Sequence, residues 1–176
     1  MTIHIAAQPV RIAIAVSSFN PEVTQGLLSG ARDYLARQGA PTEDEDIIDA
    51  PGAFELPLIA QSLARTGRYD GVVCLGCVIK GDTAHFEFIS LASSVGLMTA
   101  SLATEAPVAF GILTAYTDEQ AKVRSQGDAS NKGLEAAKAC LDTIAILRRI
   151  REPAKMGKRA GDSPWRLGEP LEAFLY

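Results

Sequence analysis

The sequence predicts an α/β protein in three layers, with helices on both faces of a four-stranded parallel sheet. Apolar runs rich in β-branched residues alternate along the chain with segments of helical period. The apolar runs are continuous rather than alternating with polar residues, as in strands covered on both sides. Each is separated from the next by a stretch long enough for the helical crossover that parallel strands need.

The first strand is expected at 10–17, "VRIAIAVS". In "NPEVTQGLLSGARDYLARQG", Asn20 is suited to cap a helix and Pro21 to its first turn. Val23, Leu27, Ala31, Tyr34 and Leu35 share one face of that helix, and Gly39 marks its stop. A short strand, "DIIDA", follows at 46–50, and "PGAFELPLIAQSLARTG" turns into a second helix ending near Gly67. "DGVVCLGCVIK" is the clearest strand, and a long helix runs from Thr83 to Glu105. "PVAFGILTA" is the fourth strand. "TDEQ" at 117–120 reads as a capping box that opens another helix. The last helix spans about Asn131 to Ile150, with Ala136, Ala137, Cys140, Ile144 and Leu147 on or near one face.

The 176 residues suit one domain with a tail, and 47% hydrophobic with 22% charged residues is an ordinary globular composition. A net charge of -4 gives no general attraction to nucleic acid or anionic membranes. No apolar run in the sequence reaches the roughly 20 residues of a membrane span. The N-terminal "MTIHIAAQPVRIAIAV" lacks a basic segment and continues into the first strand, so a cytoplasmic protein without a signal peptide is expected. Three cysteines give no disulfide framework. Cys74 and Cys77 form C-x-x-C inside a strand, where side chains three apart point to opposite faces, so both read as core residues.

In such folds ligands bind outside the carboxyl ends of the strands. There the sequence places "SSFNP", "APGAFELP", "KGDTAHF" and "TAYTDEQ". These loops carry no G-x-G-x-x-G, no P-loop, no acidic pair after the first strand and no Thr/Ser/Gly-rich phosphate loop. Two distant histidines do not make a metal site. His85 is the one histidine in the body of the chain, and imidazole moves protons near neutral pH. Gly81, Asp82 and Thr83 lead into a helix N-terminus, which favours an anion, although the Asp82 carboxylate opposes one if it faces inward. Arg124 is either a surface arginine or a fork of donors to phosphate. Phe19 and Phe54 can stack on a heterocycle or pack in the core. Glu55 can accept from hydroxyls or fill the first turn of its helix.

Taken together, "SSFNPEVT", "APGAFELP", "CVIKGDTAHFEF", "FGILT" and "EQA…R…NKGLEAA", in that order and spacing, closely resemble the lumazine synthase family. The resemblance covers about residues 10–150. It implies a flavodoxin-like three-layer fold and the penultimate step of riboflavin biosynthesis. In that step 5-amino-6-(D-ribitylamino)uracil condenses with 3,4-dihydroxy-2-butanone 4-phosphate, without a metal or organic cofactor. By the match, Phe19 stacks on the pyrimidine. Ala53, Phe54 and Glu55 hold the ribityl chain, and the Val78–Ile79 backbone with Lys80 borders the heterocycle. Gly81, Asp82, Thr83 and Arg124 hold the phosphate, His85 shuttles a proton, and Lys132 lies near the ring. The resemblance also implies a homo-oligomer built from pentamers, in which Phe110 or its neighbours, Arg124 and Lys132 come from an adjacent subunit. A weakly active member that binds flavin or lumazine, or that forms a shell, is the alternative; Phe19, Glu55, His85, Arg124 and Lys132 argue against it.

The segment before "NKG" reads "VRSQGDAS" where the family commonly has E-R-A-G-T-K-A-G, so Val123 replaces an acid and Asp128 a lysine. Its length is unchanged, and Arg124 keeps its place. These readings divide the chain into an N-terminal arm (1–9), the domain (10–151) and a C-terminal extension (152–176). Residues 148–159 carry six basic residues and one acid, which reads as a solvated stretch rather than a nucleic-acid contact. The end "LEAFLY" is apolar and docks on the body or on a neighbour. In the long helix after His85, Ala92, Ser93, Gly96, Ala100 and Ala103 suggest a small-residue face packed against a neighbouring copy.

Overall fold

The computed structural model describes residues 9–127 and 129–152. Most of the N-terminal arm, Asp128 and the extension from 153 onward, "LEAFLY" included, lie outside the described residues. Four strands are joined by helices: β1 (Ile12–Ser17), α1 (Pro21–Arg37), β2 (Ile47–Ala50), α2 (Leu56–Arg65), β3 (Gly71–Ile79), α3 (His85–Thr104), β4 (Val108–Ala115), α4 (Asp118–Val123) and α5 (Lys132–Arg151). A 3₁₀ turn at Asp44–Asp46 precedes β2. All pairings are parallel, in the order β2-β1-β3-β4. This is the flavodoxin-like αβα arrangement that the alternation predicts.

Burial follows the pleat. Ile12, Ile14, Val16, Val73, Leu75 and Cys77 face α1, α4 and α5, where Leu27, Leu35, Ala137 and Ile144 meet them. Ala13, Ala15, Val72 and Cys74 face α2 and α3, against Leu56, Ala60 and Leu97. Cys74 and Cys77 therefore lie in opposite cores, as their spacing requires. Burial pushes the Cys77 thiol up to about 11, which keeps it protonated at neutral pH.

Two local expectations are corrected. Asn20 does not cap α1 with its side chain; it sits in the left-handed region at φ 54°. Its Nδ2 instead donates to the Cys77 carbonyl at 2.9 Å, tying the β1–α1 loop to the carboxyl end of β3. In α3 three of the five small residues turn inward: Ser93 and Ala100 are buried, and a Cβ on Gly96 would lie 2.8 Å from Pro57 of α2, while Ala92 is half-buried and Ala103 exposed. The outward face is instead a row of large apolar side chains, Phe88, Leu91, Val95, Met98 and Leu102, spaced three or four apart and 55–73% exposed. This 20-residue helix, with mean hydropathy 1.4, is long and apolar enough to cross a membrane by length and composition, which the sequence reading did not anticipate. "TDEQ" makes half of its capping box: Thr117 Oγ1 accepts from the Gln120 amide, while the Gln120 side chain accepts from Tyr116 N–H.

α1 and α5 approach through glycines. A Cβ on Gly133 would fall 2.0 Å from the Leu27 carbonyl oxygen, and backbone cannot yield that much. Gly133→Ala should therefore lower unfolding stability by about 1–3 kcal/mol, the usual cost of overpacking. Gly81→Ala, with nothing within 4 Å of the added methyl, should change it little. Urea denaturation of the two variants checks the contrast; equal effects would contradict the close approach.

Candidate functional site

The strand order reverses direction at β1. From there one crossover leads to β2 and the next leads back to β3 on the other side. A crevice opens at the carboxyl ends of these strands, where doubly wound sheets place their ligands. Its volume is about 530 Å³, and its lining includes Phe19, Ala53, Phe54, Glu55, Val78, Ile79, His85 and Ile89. Six of the substrate-site residues expected from the sequence, together with His85, thus meet in one cavity.

Each wall has a local cause. Ser18 holds the loop after β1 to β2: its N–H and Oγ both donate to the Ala50 carbonyl, at 2.9 and 3.0 Å. With Asn20 fixed to β3, the Phe19 ring is left 67% exposed over the crevice rather than packed in a core. Phe54 is likewise 58% exposed. A Cβ on Gly52 would lie 3.0 Å from a Glu55 carboxylate oxygen and in ordinary contact, at 3.5 Å, with the Phe19 ring, so a larger residue there would press on the Glu55 carboxylate. From the other side, the buried Ser93 hydroxyl of α3 donates to the Ala53 carbonyl at 3.0 Å. Gly52, Asn20 and Ser93 were not among the predicted site residues. Gly52 had a signal in its position before Ala-Phe-Glu; the two polar anchors had none, because their partners are distant in sequence.

Gly81, Asp82 and Thr83 are exposed and lie outside the crevice lining, between β3 and α3. Thr83 Oγ1 accepts from the His85 N–H at 3.4 Å. Ala84, at the N-cap of α3, offers no side-chain acceptor, so Thr83 meets only the His85 N–H and other amide donors remain at the first turn. Lys80 turns away from the crevice. Its ammonium donates to Glu87 at 2.9 Å and lies over the Phe86 and Tyr116 rings, 5.8 and 5.6 Å from their centroids. The Glu87 hydrogen bond raises the Lys80 pKa, and the same contact lowers that of Glu87.

The remaining predicted residues form a second, separate depression of about 410 Å³ along β4 and α5. Phe110, Arg124, Lys132 and Glu135 line it, and it shares no residue with the crevice. The Arg124 guanidinium donates to the Gln120 carbonyl at 2.8 Å. Lys132 bridges both carboxylate oxygens of Glu135, at 2.7 and 2.8 Å. One chain thus carries the histidine and exposed rings in one concavity and the two cations in another. No arginine or lysine lines the crevice among the described residues.

Comparison with known proteins shows the family of the chain. The family model for 6,7-dimethyl-8-ribityllumazine synthase matches residues 9–148. A protein named 6,7-dimethyl-8-ribityllumazine synthase 1 from Caulobacter vibrioides is 73% identical over 146 residues, which cover 83% of this chain and 95% of that protein. A 6,7-dimethyl-8-ribityllumazine synthase from Edwardsiella ictaluri is 48% identical over 148 residues, covering 84% of this chain and 95% of the relative. One from Nitratidesulfovibrio vulgaris is 44% identical over 144 residues, covering 82% and 92%.

Proposed function

The chain belongs to the 6,7-dimethyl-8-ribityllumazine synthase family, transferases of riboflavin biosynthesis, and we propose that its active site is shared: the crevice of one subunit faces the cationic depression of the next. There 5-amino-6-(D-ribitylamino)uracil and 3,4-dihydroxy-2-butanone 4-phosphate condense to 6,7-dimethyl-8-ribityllumazine, with release of phosphate and water. The separation of the two concavities carries this reading. A reaction that binds a flat heterocycle and expels phosphate needs rings, a proton carrier and cations together, and a single chain holds them apart.

In this reading the pyrimidine stacks on Phe19, its edge meets the Val78–Ile79 backbone, and the ribityl hydroxyls donate to Glu55 beside Ala53 and Phe54. Phe110 of the neighbour closes over the ring. The phosphate lies at the uncapped start of α3, held by Gly81, Asp82 and Thr83 and by the neighbour's Arg124 and Lys132. Asp82 contributes backbone, and its exposed carboxylate stays in water. Lys80, fixed on Glu87, supports the loop that bears these groups. The substrate amine attacks the ketone, water leaves as the imine forms, the phosphate departs with its C–O electron pair, and ring closure expels a second water. His85 accepts and returns the protons of these steps. Alignment of the two reactants supplies most of the acceleration, up to about 7–11 kcal/mol, and His85 supplies roughly 10²–10⁴-fold.

The apolar outer row of α3 is the surface for assembly. Phe88, Leu91, Val95, Met98 and Leu102 pack against neighbouring copies in a ring of pentamer type, rather than in lipid. The protein works in the cytoplasm, where a metabolic enzyme of this family is expected. The extension from 153 onward carries none of the residues assigned to the site.

Mixing the two substrates with the protein and following lumazine fluorescence tests the activity; binding of lumazine without turnover would favour a weakly active binding or shell-forming member. His85→Ala should slow single-turnover condensation by roughly 10²–10⁴-fold yet leave it above the uncatalysed rate, because alignment survives. An unchanged rate would remove His85 from proton transfer. Arg124→Ala should raise KM for the butanone phosphate by about 10- to 150-fold, with a much smaller change for the pyrimidine, since a charge-assisted contact is worth about 1.5–3 kcal/mol. Val95→Asp should dissociate the assembly and abolish activity together, read by sedimentation and assay of one sample. A monomer that makes lumazine at the wild-type rate contradicts the shared site.

A further inference from the structure

Arg124 and Lys132 are eight residues apart in sequence, yet they border the same depression. The chain between them leaves α4 and returns to α5 as a loop closed at its neck, where Lys132 N–H donates to the Arg124 carbonyl at 2.9 Å. Asn131 fills this loop. It is 1% exposed, among the most deeply buried polar side chains described. Its Oδ1 accepts from Gly133 and Leu134 N–H, at 2.8 and 3.1 Å, and so caps α5. Its Nδ2 donates to the Ser125 and Gln126 carbonyls of the loop and to Gly26 of α1, at 3.0, 2.8 and 3.0 Å. Two amide hydrogens thus serve three carbonyls. The cavity around it is cut to this side chain: a Cβ on Gly30 of α1 would lie 2.4 Å from Asn131 Cγ.

We infer that Asn131 is a positioning residue for the phosphate-bearing substrate, acting through Arg124 and Lys132 and touching no reactant. The inference rests on the proposed reading of that depression as an anion site. A cap for α5 needs only the acceptor oxygen, which serine also supplies. The amide nitrogen does a second task. It fixes the loop between the two cations to α1, so both stems leave the neck in one geometry. Without it, the buried Ser125 carbonyl and the Gln126 carbonyl beside it lose a donor and the loop shifts to find water. The cations then meet the phosphate from altered positions, whereas the crevice that holds the pyrimidine, on the other side of the sheet edge, is left as it was. The surrounding loop residues differ from the common family pattern, and the amide bonds two of them through main-chain atoms only. Its action is therefore independent of the side chains at 125 and 126.

The test uses the assembled full-length protein and the variants Asn131→Ser, which keeps the cap and lacks the donors, and Asn131→Asp, which keeps shape and acceptor while setting an oxygen against the carbonyls. Loss of donors to buried groups corresponds to about 5- to 150-fold. KM for the butanone phosphate, and the Kd of inorganic phosphate, should rise within that range, while KM for the pyrimidine moves far less. Combined with Arg124→Ala, Asn131→Ser should add less than it costs alone, because the share of its effect that passes through Arg124 is already lost and only the Lys132 share remains. Equal rises for both substrates, unchanged phosphate affinity, or fully additive losses would each overturn the inference; a lower Tm alone does the same. If Asn131→Asp does not fold, Asn131→Ser decides. Protein that makes no lumazine refutes the catalytic reading, and the inorganic-phosphate comparison between wild type and Asn131→Ser still decides the role of Asn131.

Discussion

At the carboxyl end of β1 the chain makes one left-handed turn at Asn20, and the amide of that residue grips the end of β3 through the Cys77 carbonyl. The Phe19 wall of the crevice is referred to this point. It sets the strand-end loop across the place where the crossovers diverge, and it leaves the neighbouring Phe19 ring facing solvent. Asparagine suits the position twice over, since it tolerates the left-handed region better than most residues and its amide can reach across the strand gap. One such hydrogen bond contributes only about 0.5–1.5 kcal/mol net. Its importance is geometric: the loop is also tied to β2 through Ser18, so a ring that would otherwise collapse onto the protein is presented from a rigid frame.

α3 shows how one helix serves two surfaces. Its inner face is small because it lies close to α2 and the sheet: Gly96 meets Pro57, and Ser93 spends its hydroxyl on the Ala53 carbonyl beside Glu55. Its outer face is large and apolar with nothing of its own chain to cover it among the described residues. The same element thus steadies the Ala53–Glu55 loop from within and offers an apolar ridge outward. Its first turn carries His85.

Much of this was legible in the sequence. Continuous apolar runs identified β1, β3 and β4 because strands buried on both faces need nothing polar, and helical period found α1 and α5. The spacing of Cys74 and Cys77 placed them on opposite faces. The motifs gathered Phe19, Glu55 and His85 into one site and set Phe110, Arg124 and Lys132 apart from it. What escaped had a common physical character. Asn20 looks like a helix cap locally, but its partner is 57 residues away. Asn131 looks like an ordinary N-cap, and its second set of contacts depends on how closely α1 approaches. In α3 the composition was read correctly as unusually apolar and small, but which face turns inward is settled by the depth of the groove beside α2, not by the helix itself. Local signals specify elements; bonds that close distant loops appear only once the layers are packed.

The two concavities also carry an argument about charge. Arg124 and Lys132 are held by Gln120 and Glu135 on one side of the chain, while Glu55 and His85 stand on the other. If all four stood in one crevice of a single chain, Glu55 would compete with the phosphate for the cations, because a carboxylate and a phosphate are recognised by the same fork of donors. Dividing them lets each half be built on its own hydrogen bonds. In the shared-site reading the halves meet only at the subunit boundary, where the ribityl end and the phosphate end of the bound pair are kept apart. The assembly then contributes alignment directly: neither half alone holds both reactants, and the orientation that supplies most of the acceleration exists only where two subunits meet.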